Sequence, residues 1–391
     1  MEQTWRWFGP EDPVPLAHVR QAGATGIVTA LHSHYRGEVW PEDAIAERKR
    51  VIEAAGLTWS VVESIPVPDA IKVRDGDAEA ATDAFRTTME RLAAAGIEVV
   101  CYNFMPVVDW TRTALRWPVA SGGLALRFDM LDFVAYDALV LKRRGADTQY
   151  PGAILEAAER RAATLTSEAI EEIEFTVIAG LPGSEASHDR EGIRSRIARY
   201  DGLGAEGLRA NLVAFLEDII PTAERLGLRM CIHPDDPPFS LFGLPRVVSG
   251  LADYQALADA VPEMSNGVTF CTGSLGARAD NDVEAAAKAL APRIHFAHLR
   301  NVTVELDGSF FEDDHLGGRV DMVSVVGTLL AEEARRRAEG RADAVIPFRP
   351  DHGHLLLDDQ TKKTYPGYSA IGRLKGLAEL RGVITALEHT G

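Results

Sequence analysis

Eight short runs of β-forming residues alternate with helical stretches along most of this 391-residue chain, and that rhythm restricts the fold more than any other feature. Strands joined through helices run parallel, because the helical crossover carries the chain back to the end where the previous strand began. The runs are Thr4 to Phe8, then 25–31 (TGIVTAL), 57–64 (LTWSVVES), 97–104 (IEVVCYNF), 228–234 (LRMCIHP), 267–273 (GVTFCTG), 294–301 (IHFAHLRN) and 344–350 (AVIPFRP). Helices are expected over Pro13 to Ala22, Pro41 to Ala55 and Thr82 to Ala95. Gly23, Gly56, Gly96 and Gly227 fall where a left-handed cap ends a helix before the next strand. Eight such units predict an α/β chain closed into a (β/α)₈ barrel.

One interval breaks the rhythm. Between 105 and 205 no barrel strand is evident, and Glu156 to Glu174 reads as a helix rich in Ala, Glu and Arg. The expectation is a single barrel domain over 1–391 with 105–205 as a mostly helical insertion after the fourth strand, on the catalytic face. An insertion of that length serves as a lid over the site or as an association surface.

Four residues with metal-binding side chains close four successive strands: His233, Cys271, His298 and Asp351. Parallel barrel strands end at one mouth, so ligands separated by 38, 27 and 53 positions can meet around one ion. Two imidazoles, a thiolate and a carboxylate suit Mn²⁺, Fe²⁺, Co²⁺ or Zn²⁺ better than Ca²⁺ or Mg²⁺. Cys101 and Cys231 lie inside strands and read as small apolar residues. Strand alternation puts His298 and Arg300 on one face and His295 on the other, which makes His295 structural.

Around this core stand Arg6, Trp7, His32, Asn103, Trp110, Arg112, Arg300 and Asn301. Guanidinium forks grip carboxylates, and imidazole or amide groups read hydroxyls, so together these residues suit a polyhydroxy acid. Taken one at a time, each is equally compatible with an ion pair or a structural hydrogen bond.

The formal net charge of −17 excludes a nucleic-acid backbone as partner, since that needs many basic contacts to phosphate. It leaves room for a small anion, because salt screens distant charges beyond about 10 Å. No run of about 18 uncharged apolar residues occurs, which excludes a membrane span. The first residues lack a signal peptide's basic start and apolar stretch. Three cysteines make no disulfide framework and fit a reducing, cytoplasmic setting.

The segments RWFGPEDPV, GIVTALH, GEVWP, CYNFMPVVDWTRT, CIHPDDPP, FCTGSLG, HFAHLRN, RPDHGH and PGYSAIGRLKGLAELRG, in order over nearly the whole chain, resemble the mannonate dehydratase family of hexuronate (glucuronate) catabolism. The resemblance implies a barrel related to the xylose isomerase-like group. It also implies conversion of D-mannonate to 2-keto-3-deoxy-D-gluconate and water with Mn²⁺ or Fe²⁺, and a tendency to form homodimers. By motif it implies His233, Cys271, His298 and Asp351 as metal ligands, and His352 and Tyr368 as the residues that transfer protons. Tyr365, close to Tyr368, is the competing tyrosine. Two other readings are a metal-dependent sugar isomerase or epimerase of the same barrel group, and a sugar-acid-binding protein without turnover.

Overall fold

The computed structural model describes residues 1–179 and 189–390. Eight parallel strands close a barrel: β1 (Glu2–Arg6), β2 (Gly26–Thr29), β3 (Thr58–Glu63), β4 (Val99–Tyr102), β7 (Arg229–Ile232), β8 (Asn266–Cys271), β9 (Ile294–His298) and β12 (Pro347–Arg349). The order around the barrel is β1-β12-β9-β8-β7-β4-β3-β2, so neighbours in space are neighbours in strand sequence. Every strand anticipated from sequence is present, although the first begins two residues earlier than its pattern suggested. Gly23, Gly56, Gly96 and Gly227 all take positive φ, between 70° and 87°, at their helix ends.

Packing has two layers, as strand alternation requires. Val28, Val61, Val99, Cys101, Cys231 and Phe296 fill the barrel's interior. The large apolar core lies between the strands and the surrounding helices, where Ile27, Val62, Val100 and Phe270 meet Ile52, Met89, Leu216 and Leu257. Cys101 and Cys231 are therefore filler side chains, as their positions implied. His295 points outward from its strand, bonds Met264 O at 2.8 Å, and is kept neutral by burial.

Residues 105–205, of which 180–188 lie outside the described residues, are largely helical but open with strands that sequence reading did not find. β5 (Ala114–Pro118) and β6 (Leu124–Phe128) form an antiparallel hairpin. It joins a second hairpin, β10 (Asn301–Val304) and β11 (Phe310–Asp313), in a four-stranded sheet ordered β10-β11-β6-β5. The outer strand β5 reads Ala-Leu-Arg-Trp-Pro, is half-exposed to exposed, and shows no alternation. Its neighbour β6 pairs with β11, which comes from the loop after β9. Pairing partners that far apart leave no local sequence signal. The helix expected over Glu156 to Glu174 is two helices, Gly152–Ala162 and Ser167–Ala179. They part at Thr164 to Thr166, where the Thr166 hydroxyl accepts from Ala169 N and starts the second helix.

Candidate active site

At the C-terminal end of the barrel, ligand atoms of His233, Cys271 and His298 all lie within 4.8 Å of one another. His233 Nδ1 donates to Pro234 O at 2.6 Å, which leaves Nε2 carrying the lone pair, and Nε2 lies 3.1 Å from His298 Nδ1. Burial holds the His233 imidazole below its usual pKa, so it stays neutral and able to coordinate. Cys271 begins the short helix Thr272–Gly276, and its sulfur accepts from Ser274 N (3.4 Å) and Ser274 Oγ (3.1 Å).

Asp351 follows β12 in a left-handed conformation, φ 65°, which aspartate tolerates better than most residues. Its Oδ2 is 3.8 Å from Cys271 Sγ and 3.9 Å from His298 Nδ1, so it borders two of the three clustered ligands. Burial opposes its ionisation, yet Arg349, His352, His298 and Arg300 hold its carboxyl well below the ordinary range. The donor set fits a borderline divalent cation: two imidazoles, a sulfur and an ionised carboxylate gathered from four strand ends.

Beside this cluster His352 Nε2 meets the Tyr368 hydroxyl at 3.2 Å. Gly367 makes the approach possible, since a Cβ there would lie 3.0 Å from the His352 ring. Tyr368 is buried between Phe8, His352 and Arg373, and burial pushes its pKa up to about 12 despite the opposing charge of Arg349. Its hydroxyl is thus protonated at neutral pH. Tyr365 also meets Phe8 edge to face, at 5.1 Å between ring centres, and among the described residues the tyrosine that His352 Nε2 bonds is Tyr368.

The expected substrate contacts divide into two groups. Arg6, His32 and Trp110 line the same mouth. Arg6 pairs with Glu63 at 3.3 Å and lies 3.4 Å from His32 Nε2, while Trp110 packs edge-on against His352. Buried polar atoms on all three, Arg6 Nε, His32 Nδ1 and Trp110 Nε1, have no protein partner. Burial, then Arg6 and Arg48, keeps His32 well below its usual pKa and hence neutral. Asn103 is half-buried just past β4.

The others are committed elsewhere. Trp7 points into the core with Arg48 over its ring, because alternation turns it to the opposite face of the strand from Arg6. Asn301 donates to His315 O and Val320 O and accepts from Val302 N and Val320 N, which uses its whole amide to tie a loop. Arg112 and Arg300 are fully buried and bond protein carboxylates: Arg112 to Asp236 and Glu312, Arg300 to Asp236 and Asp351.

Four charged residues complete the site without having been anticipated: Glu63, Asp236, Glu312 and Arg349. Glu63 ends β3, grips Arg349 through two bonds (2.8 and 3.1 Å) and lies 3.5 Å from His298 Nε2. Burial works against its charge, but Arg349, Arg6 and His298 keep it ionised. Arg349 also bonds His298 Nε2 and Asp351. Both Glu63 and Arg349 could have been found, since each ends a strand on the inward face. Glu312 had no such signal, because it arrives on β11 of the unforeseen sheet.

Comparison with known proteins identifies the family and the fold. The sequence profile described as D-mannonate dehydratase matches residues 1–391. Mannonate dehydratase 2 of Agrobacterium fabrum is 57% identical over 389 residues, covering 100% of this chain and 98% of that protein. The mannonate dehydratase of Chromohalobacter salexigens is 54% identical, covering 100% and 99%. The crystal structure of mannonate dehydratase from Streptococcus suis serotype 2 superposes with a TM-score of 0.79 at 33% identity, covering 100% of this chain and 95% of that one. A xylose isomerase domain protein from Planctomyces limnophilus, at 10% identity and a TM-score of 0.51, shares the fold.

Proposed function

This chain belongs to the D-mannonate dehydratase family, so its reaction is the dehydration of D-mannonate, and we propose that it proceeds by a metal-assisted elimination in which His352 and Tyr368 move the protons. The product is then the 2-keto-3-deoxy acid. The observation that carries this reading is the 3.2 Å contact between His352 Nε2 and the Tyr368 hydroxyl beside the His233, Cys271 and His298 cluster.

Elimination must remove the C2 proton next to a carboxylate and expel the C3 hydroxyl, both difficult steps. His233, Cys271, His298 and Asp351 would hold Mn²⁺ or Fe²⁺. When bound, such an ion supplies Lewis-acid stabilisation of the negative charge that develops beside the carboxylate. Arg6, His32 and Trp110 present unpaired polar atoms that orient the acid and its hydroxyls, and Asn103 joins them from the end of β4.

His352 acts as the base through Nε2, and protonated Tyr368 acts as the acid. His352 takes the C2 proton, and the electron pair left on C2 becomes the C2=C3 bond as the C3–O bond breaks. Tyr368 gives its proton to the departing hydroxide, which leaves as water. The enol then becomes the ketone as its hydroxyl proton moves to C3. Transfer from the His352 imidazolium to the Tyr368 oxygen across their contact restores both groups. Glu63 and Arg349 orient His298 and Asp351 from behind, the usual work of the groups that back metal ligands.

The deciding experiment incubates the purified protein with Mn²⁺ and D-mannonate, assays the 2-keto acid and measures bound metal. Formation of the 2-keto-3-deoxy acid that depends on Mn²⁺ or Fe²⁺ is expected. Equal turnover after exhaustive chelation would sink the metal role. Among the described residues no helix is long and apolar enough to cross a membrane. A homodimer in the cytoplasm completes the proposal, and sedimentation equilibrium tests the assembly.

A further inference from the structure

We propose that Glu312, carried on the accessory sheet, is the positioning residue that fixes His352 in the tautomer with its proton on Nδ1 and its lone pair on Nε2. The inference rests on His352 acting as the base. Glu312 touches none of the reacting atoms and works through the imidazole.

The geometry is specific. His352 Nδ1 lies 2.8 Å from both Glu312 oxygens, while Nε2 faces Tyr368. A carboxylate can only accept, so the proton on this edge of the ring sits on Nδ1. Two guanidiniums hold Glu312 in place: Arg112 Nη2 donates to Oε1 at 2.8 Å and Arg300 Nη1 approaches it at 3.4 Å. The strand is anchored as well, because His354 Nε2 bonds the Glu312 carbonyl at 2.8 Å. Arg112 and Arg300 both continue to Asp236, so the accessory sheet is bound to the loop that follows His233. This gives the four-stranded sheet a function: it delivers the carboxylate that aims the base.

Glu312→Gln separates positioning from mere packing. Arg112 donates to Oε1 and the Arg300 guanidinium lies 3.4 Å from it, so the glutamine carbonyl oxygen stays there and its NH₂ falls where Oε2 was, beside His352 Nδ1. An amide N–H in place of the Oε2 acceptor competes with Oε1 for Nδ1, which favours the opposite tautomer and takes the lone pair from Nε2. The expected result is a fall in kcat of about 100-fold or more with KM within about threefold and bound metal unchanged. Glu312→Asp, which keeps the charge, should recover part of the loss. In a His352→Asn background, Glu312→Gln should cost little further, whereas a purely structural role would add its full effect.

Near-native kcat in Glu312→Gln, alongside a His352→Asn variant that has lost turnover, overturns the proposal and leaves the underlying reading intact. Near-native kcat in His352→Asn removes the underlying reading, and this proposal with it. Should Glu312→Gln fail to fold, ¹⁵N resonances of the histidines in the wild-type protein, with His352→Asn for assignment, decide the matter. An Nδ1-protonated His352 supports the proposal, and an Nε2-protonated ring overturns it.

Discussion

His233 Nε2 and His298 Nδ1 face each other at 3.1 Å across the barrel mouth. Two imidazole nitrogens so close need a proton or a cation between them, because opposed lone pairs repel. With the His233 Nδ1 proton committed to Pro234 O, the pair forms a seat for a cation that Cys271 and Asp351 border.

Replacing the sulfur tests that seat. Cys271→Ser should keep the fold, since the side chain shrinks only slightly, and should lose bound Mn²⁺ or Fe²⁺ together with turnover. Metal analysis after gel filtration gives the answer, and full metal occupancy would take the sulfur out of the ligand set.

The proton-transfer pair should behave differently from the metal ligands. Tyr368→Phe removes one hydroxyl from a ring that Phe8 and Arg373 still hold, so metal content and KM should change little. Turnover should fall by about 10²- to 10⁴-fold. Tyr365→Phe should leave kcat within about twofold. A reversed ranking of the two variants would transfer the role to Tyr365.

His295 sets a pH dependence of stability away from the site. Burial lowers its pKa from 6.5 to about 3, so the folded protein prefers the neutral ring. A histidine depressed in this way contributes stability above about pH 6.5 that is lost as pH falls toward 3, by roughly 1.4 kcal/mol per unit. His295→Gln can still donate to Met264 O without titrating, and it should flatten the decline in Tm between pH 6.5 and 4.5. Parallel Tm curves for the two proteins would refute this account.

Asn301 should prove structural. Asn301→Ala leaves buried backbone groups of Val302, His315 and Val320 without partners, a cost on the order of 3 kcal/mol. Urea denaturation should show that loss, with kcat and KM retained well below the new Tm. A raised KM for mannonate without loss of stability would instead mark Asn301 as a substrate contact.

Local patterns along the chain were enough to read the barrel and the residues at its strand ends. Period-two apolar runs, glycine helix caps and the positions of His233, Cys271 and His298 are local properties, and eight parallel units can close in very few ways. The pairing of His352 with Tyr368 was legible only through motif resemblance. Tertiary structure decided the rest. Trp7 and Arg6 look equally eligible as neighbours in sequence, and only the direction of the strand face sends one to the core and the other to the mouth. Glu312 meets His352 because β6 pairs with β11 between loops far apart in the chain, and Arg112 meets Asp236 because a parallel bridge sets Trp110 beside Asp236. Hydrogen bonding between remote strands, and the buried ion pairs it brings together, depend on which backbones lie side by side, and no periodicity within either segment encodes that.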